Sequence, residues 1–397
     1  MSDTKTADRM PRDYGFGSDE EMLRDLAKKL LDDEMPIEKM RRLVAAEPET
    51  TYERGERPGW DEGLWKRCVE LGWTGLAVPE AAGGVGVKMV GIAGLVEEVG
   101  RHALASPLVA TLAATFVLRE AGTDDARVWL ERIAEGASAS LAITDRTGAW
   151  DPEATGVEAR GEGADAVLSG QAWFVQDAFK ADLFVVLARD DDGHRLCVVP
   201  AGAPGLSIEQ DHIHDLTRDQ GTLRFEDVRV PAADVVTNHG AAALRRAWPA
   251  ILTIVSADLC GTSEWQLQTT AEYAKTRKQF DRPIGFFQAV KHPLVDAMVA
   301  IDRARSLVYH AACCIDSGDD DALRIARMAK SAASDAGAYM SDRSVQLHGG
   351  IGFTWECDVH LYFKRSMHNQ MLYGDGVHQR RRLADQLIGP VVSVPGA

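Results

Sequence analysis

Residues 277–288 read Arg-Lys-Gln-Phe-Asp-Arg-Pro-Ile-Gly-Phe-Phe-Gln. They gather Arg277, Lys278 and Arg282 in a stretch that Pro283 and Gly285 keep from being helical. An arginine's planar fork matches pairs of phosphate oxygens, and a loop fixed between two packed helices can hold it still. The same cluster also suits a plain basic helix terminus set against a negative helix dipole. Spacing alone leaves both readings open. A second stretch with chemical potential is His348-Gly349-Gly350-Ile351-Gly352-Phe353. Glycine after a helix is often only a cap, but this many so close together would let a ligand approach the backbone. A third, Tyr373-Gly374-Asp375-Gly376, is on its own a turn carrying one carboxylate.

Helices must position these stretches. Apolar residues spaced by three and four precede the arginine loop (Trp248, Ile251, Leu252, Val255, Leu259) and follow it (Leu294, Met298, Ile301, Val308, Ile315). That spacing predicts an amphipathic helix on each side. A further helix over Asp320–Leu347 ends at the glycines, and helices over Asp358–Leu372 and Val377–Ile388 flank the last turn. Upstream, residues 1–17 read as a disordered leader. Ser18, with Glu21 three residues on, is a candidate N-cap for the first helix. Helical patterns continue over Asp61–Leu71, Met89–Gly100, Pro107–Ala121 and Ala126–Glu135. From Ala139 the pattern changes to short β-prone runs: Ser140–Thr144, Ala172–Val175, Leu183–Ala188, Leu196–Pro200, Leu206–Glu209 and Thr222–Val230. Strands at that spacing without intervening helices predict an antiparallel sandwich or barrel. The expected layout is a leader (1–17), an N-terminal α-helical domain (18–138), a middle β domain (139–237) and a C-terminal α-helical domain (238–397).

The totals exclude several classes. A chain of 397 residues, 45% hydrophobic, is long enough for several cores. A formal charge of −16 argues against nucleic acid and anionic membrane surfaces. No apolar run is long enough for a membrane span. The six cysteines include no Cys-x-x-Cys pair, which predicts reduced thiols in a cytoplasmic protein and neither a disulfide framework nor a zinc site.

Taken together and in order, the motifs resemble the acyl-CoA dehydrogenase family over nearly the whole chain. Val78-Pro79-Glu80 with Gly83, Gly84 and Gly86 is similar to its amino-domain loop, and Glu97-Glu98-Val99-Gly100-Arg101 with Ser106-Pro107 to the helix end that follows. Arg277 to Ile284, then Gln288, resembles Arg-x-x-Phe-Gly-x-x-Ile…Gln. Gln346 to Phe353 resembles Gln-x-x-Gly-Gly-x-Gly-Phe. The resemblance implies a helical domain, a β domain and a C-terminal four-helix bundle, with FAD as prosthetic group in a dimer of dimers. By position, Arg277, Phe280 and Gln288 would meet the FAD of a neighbouring subunit, with Gln346, Gly349 and Gly350 along the same cofactor. Thr144 and Phe174 would lie on the flavin side of the β domain. The implied reaction removes two hydrogens across Cα–Cβ of an acyl-CoA thioester and passes the electrons to an electron-transfer flavoprotein.

The chain departs from that pattern at the base. Where the family carries Tyr-Glu-Gly-Thr, this sequence has Tyr373-Gly374-Asp375-Gly376. The alternative location, on the helix before the arginine loop, reads Arg246-Ala247-Trp248-Pro249-Ala250-Ile251-Leu252, with no carboxylate. Asp375 is the only candidate. Trp150 replaces a customary small serine, and Phe174-Val175-Gln176 stands where Trp-x-Thr is usual. The expectation is a subunit that needs a homologous partner to supply the base. The alternatives are a self-sufficient dehydrogenase or oxidase using Asp375, and a non-catalytic acyl-CoA-binding scaffold.

Overall fold

A computed structural model of the chain describes residues 14–44, 59–151, 154–162, 165–191 and 193–389. Among them six α-helices come first: α1 (Ser18–Glu34), α2 (Ile37–Val44), α3 (Glu62–Glu70), α4 (Met89–Arg101), α5 (Leu108–Ala121) and α6 (Asp124–Ala134). Then come β1 (Ala139–Ala142), β2 (Val157–Glu162), β3 (Asp165–Gln176), β4 (Leu183–Asp190), β5 (Gly193–Pro200), β6 (Leu206–Gln210), β7 (Gln220–Val230) and β8 (Val235–Thr237). The C-terminal part holds α7 (Gly240–Thr276), a hairpin of β9 (Lys278–Gln279) and β10 (Arg282–Pro283), α8 (Gln288–Ser317), α9 (Ala322–His348), α10 (Val359–Met371) and α11 (Gly376–Ile388). Helical, β and helical segments follow one another as the sequence leads one to expect. The bundle is built on α7, α8, α9 and α10, with α11 against α9.

Two local expectations change. The first helix is capped by Gly17, whose N–H donates to Glu20 Oε2 at 3.0 Å, so Ser18 is already inside it. Residues 1–13 of the expected leader lie outside the described residues. Its end is packed: Tyr14 stacks on His310 and Phe16 meets Tyr309 edge-on, both on α8.

Strands β1 to β8 form one sheet in the order β6-β7-β3-β2-β4-β5-β8, with β1 beside β4. Most pairs are antiparallel, but β1 and β2 each run parallel to β4. β2 and the first half of β3 fall outside the expected strands. Val157 and Ala159 point inward while Glu158 and Arg160 face solvent, so β2 is a one-sided strand whose charges disguise it.

Close backbone approach sets α4 against α7. A Cβ at Gly261 would lie 1.8 Å from Glu97 O, and one at Gly100 would lie 2.2 Å from Asp258 O. Only glycine fits at either position. Next to that crossing, buried Asp258 of α7 gathers the domains together. It accepts from Arg365 Nε (2.9 Å) and Nη2 (2.6 Å), Asn369 Nδ2 (2.7 Å) and Arg218 Nη2 (2.6 Å). Arg365 also donates to Thr217 Oγ1 at 2.8 Å. Burial alone would raise the Asp258 pKa, yet the Arg365 and Arg218 guanidiniums hold it below the usual carboxylate value.

Candidate active site

Three hydrogen-bonded or stacked pairs align the C-terminal ends of α7 and α9. Gln266 Nε2 donates to Ser341 Oγ (3.1 Å), Thr270 and Ser344 hydroxyls meet at 2.9 Å, and Tyr273 stacks on His348 at 4.3 Å. The near-constant offset between partners means that the two helices run parallel, so Arg277 and Gly349 emerge at the same end. The arginine loop and the glycine turn are thereby brought together. Two helix C-termini present carbonyl dipoles there, which disfavour an anion, so Arg277 must supply the attraction.

The loop is open. Arg277, Phe280, Gln288, Gln346, Gly349 and Gly350 are all exposed, Phe280 by 83%. Among the described residues the Arg277 guanidinium meets no hydrogen-bond or ion-pair partner. Phe280 and Asp281 take φ +52° and +60°, forming a tight hairpin tip between Gln279 and Arg282. Holding a phenylalanine there costs about 1–3 kcal/mol, and such strain concentrates at ligand contacts. Gly349 needs glycine for its own backbone (φ +65°), whereas Gly350 has no such need, and a Cβ on either would meet nothing within 4 Å. Nothing in this chain demands glycine at 350, which leaves room for an approaching ligand. The loop and turn therefore fit the diphosphate side of a dinucleotide.

Thr144 and Phe174 belong to a different cluster. Trp150 meets Tyr373 edge-on at 5.2 Å and Phe174 at 6.5 Å, and Trp248 of α7 meets Tyr373 at 5.4 Å. Thr144, Trp248 and Tyr373 are buried. Gln176 Nε2 donates to Phe174 O (3.0 Å) and Gln220 Oε1 (2.8 Å), while its Oε1 lies 2.8 Å from His368 Nε2. This amide is committed within the chain, and the aromatic rings fill the neighbouring space. These rings stand on the side of the β domain where the resemblance would put a flavin ring.

Asp375 is the N-cap of α11, its Oδ1 accepting from His378 N at 2.7 Å. The position where the family carries its base is Gly374, with φ +91°. A Cβ there would lie 2.3 Å from His378 Cδ2 and 2.7 Å from His378 Cγ. Beneath this turn lies Lys330, which sequence reasoning missed. Its buried Nζ donates to Gln370 O (2.8 Å), Gly374 O (3.0 Å) and Ser334 Oγ (3.0 Å). Burial pulls its pKa down to about 7, with Asp375 opposing the shift. A lysine amid the small residues of α9 gives no sequence signal of this, because its acceptors are carbonyls far along the chain.

This three-part fold, with its arginine loop and glycine turn at one bundle end, is that of an oxidoreductase acting on acyl-CoA, as its relatives show. The chain belongs to the acyl-CoA dehydrogenase family: it matches the family's N-terminal domain over residues 17–137, its middle domain over 140–228 and its C-terminal domain over 253–388. It is 32% identical over 330 residues to acyl-CoA dehydrogenase IpdE2 of Mycobacterium tuberculosis, covering 83% of this chain and 88% of that protein. The probable acyl-CoA dehydrogenase YngJ of Bacillus subtilis is 29% identical, covering 93% and 96%. Among solved structures, a variant of the Tcur3481-Tcur3483 steroid ACAD is 30% identical with a TM-score of 0.83, covering 94% of this chain and 98% of that one. The ChsE4-ChsE5 complex from Mycobacterium tuberculosis is 27% identical with a TM-score of 0.84, covering 96% and 100%. No helix among the described residues is long and apolar enough to cross a membrane.

Proposed function

We propose that this chain is one subunit of a heteromeric acyl-CoA dehydrogenase, contributing half of an FAD site and leaving α-proton abstraction to a carboxylate of a homologous partner. The observation that carries this reading is Gly374, a left-handed glycine where a base is usual, with the His378 ring in the space a side chain would take. Arg277 would hold the FAD diphosphate and Phe280 and Gln288 the adenosine side, with Gln346, Gly349 and Gly350 along the cofactor. Bound FAD supplies the acceptor for the hydride leaving Cβ of the thioester. Asp375 is retained as a helix cap, because turning it toward a substrate would release the His378 N–H it now satisfies.

Two further features support a partner chain. Phe286, Val295, Val299 and Phe353 join Phe280 in exposing apolar surface on the arginine loop, the glycine turn and the first turns of α8. Two of the structural neighbours are the steroid ACAD Tcur3481-Tcur3483 and the ChsE4-ChsE5 complex, which makes bulky polycyclic CoA thioesters the first substrates to try. The assembly would be a tetramer with a homologous chain, working in the cytoplasm and reoxidised by an electron-transfer flavoprotein.

Replacing Arg277 tests the cofactor half. Losing a charge-assisted contact costs roughly 1.5–3 kcal/mol, so Arg277→Ala should weaken FAD retention by about 10- to 150-fold. Arg277→Lys should recover part of this, since a point charge cannot make the forked contact. Equal FAD affinity in wild type and Arg277→Ala would contradict the assignment.

A further inference from the structure

Segment 145–151, between β1 and β2, lies between β3 and the C-terminal helices and touches both. Asp145 Oδ1 accepts from Thr147 N (2.9 Å) and Thr147 Oγ1 (2.7 Å), which closes the segment into a tight turn. Gly148, at φ +70°, passes over the Phe174 ring, and a Cβ there would lie 3.5 Å from Phe174 Cε2. Trp150 packs against both Phe174 and Tyr373, and the Asp151 carboxylate pairs with Arg382 of α11. The segment is thus closed by its own turn, passes β3 at its glycine, and is attached to the C-terminal part at its indole and its last carboxylate.

Two of the rings it touches stand on strained backbone. Phe174 has φ +58°, at a register shift between Ala172 and Val175, and Tyr373 has φ +56°. Bulky residues hold such angles only when the surroundings over-determine them. Here Gln176 Nε2 donates to Phe174 O (3.0 Å) and Gln379 Nε2 to Tyr373 O (2.7 Å), and the rings pack on one another with Trp248 completing the group. Four aromatic side chains from β3, the 145–151 segment, α7 and the α10–α11 turn therefore close the space between the β domain and the bundle. Both N–H groups of the Gln176 amide on β3 are committed within the chain, to Phe174 O and Gln220 Oε1.

We propose that the 145–151 segment is a lock on this chain's own interdomain cleft, and that Trp150 is the residue that excludes a flavin ring from it. The proposal rests on the flavoprotein reading above and goes beyond it. It assigns to one side chain the difference between a cleft that accepts the cofactor and one that does not. The Asp151–Arg382 pair acts only by keeping the indole in place, so it is a positioning contact.

The test uses the assembly as purified, with any homologous subunit that accompanies it. Flavin per chain is measured by absorbance after gel filtration, and FAD affinity by titration of flavin fluorescence. Wild type is expected to hold no more than one flavin for every two chains. A closed cleft that opens about 0.1–10% of the time weakens apparent binding by the same fraction, so Trp150→Ser should tighten FAD binding to it by about 10- to 1000-fold. Occupancy should then approach one flavin per chain. Arg382→Gln, which leaves the indole intact, should move occupancy the same way by less, and it decides the matter if Trp150→Ser does not fold. One flavin per wild-type chain overturns the lock, as does unchanged occupancy in folded variants. In the second case, flavin retained at the partner-completed site leaves the flavoprotein reading standing. An assembly that binds no FAD in any form removes that reading and the lock together.

Discussion

The simplest attempt to give this chain a base of its own, Gly374→Glu, should fail for reasons that can be apportioned. Gly374 has φ +91°, a conformation that costs a side-chain-bearing residue about 1–3 kcal/mol. The new Cβ would lie 2.3 and 2.7 Å from His378 ring carbons and 3.1 Å from Gln379 Nε2. Gln379 cannot withdraw freely, because its Nε2 donates to Tyr373 O at 2.7 Å, and the His378 ring must turn away or be overpacked. Forcing extra atoms into a packed site typically costs a further 1–3 kcal/mol. Gly374→Glu should therefore destabilise the chain by about 2–6 kcal/mol in chemical denaturation and show no turnover with an artificial electron acceptor. Adding His378→Ala removes the clashing ring and should return the overpacking share, about 1–3 kcal/mol, while the backbone strain remains. Gly374→Ala separates these effects from any effect of the carboxylate. A Gly374→Glu chain that is as stable as wild type, or that turns over on its own, would refute the reasoning.

Other consequences concern stability. Asp258→Ala strands the Arg218 and Arg365 guanidiniums without their shared carboxylate and should cost about 3–5 kcal/mol. Pairing it with Arg365→Met should return part of this, and a loss under 1 kcal/mol for Asp258→Ala alone would count against the network. For Lys330, the folded pKa is about 7 against an ordinary 10.5, so between these values the unfolded chain binds a proton that the folded chain does not. Stability from this group therefore rises with pH above 7, by about 1.4 kcal/mol per unit. Denaturation at pH 7 and pH 9 should show wild type gaining roughly 2 kcal/mol relative to Lys330→Met, since the slope is only half its full value at pH 7; parallel curves would rule this out.

Sequence reasoning reached the helices and the chemistry-bearing loops because both are local signals. The three- and four-residue spacing survives even Pro249 inside α7, and Gly349-Gly350 advertises an open backbone. Long-range partners were out of reach. Asp258 looks like an ordinary helix carboxylate until Arg218 and Arg365 arrive from the β7 approach and α10. The four-ring cluster is similar: Trp150 stood out as bulky for its position, but its contacts with Phe174 and Tyr373 join residues from three parts of the chain. β2 was missed because half its residues are charged, and only pairing with β3 reveals the strand. Gly374 was legible as a missing base, whereas the His378 ring that fills the space was not.

The central claim is that the α-proton is taken by a partner's carboxylate. The most direct measurement is turnover by homogeneous chain, free of any partner, on a panel of acyl-CoAs that includes polycyclic ones, with and without a homologous subunit. Asp375→Asn is run beside wild type, since it keeps a side-chain oxygen to cap α11. A missing base costs a factor of about 10² to 10⁴, so the chain alone should be nearly inactive. Activity should appear with the second chain and persist in Asp375→Asn. Robust turnover by the chain alone, abolished in Asp375→Asn with FAD still bound, would contradict the account and make Asp375 the base.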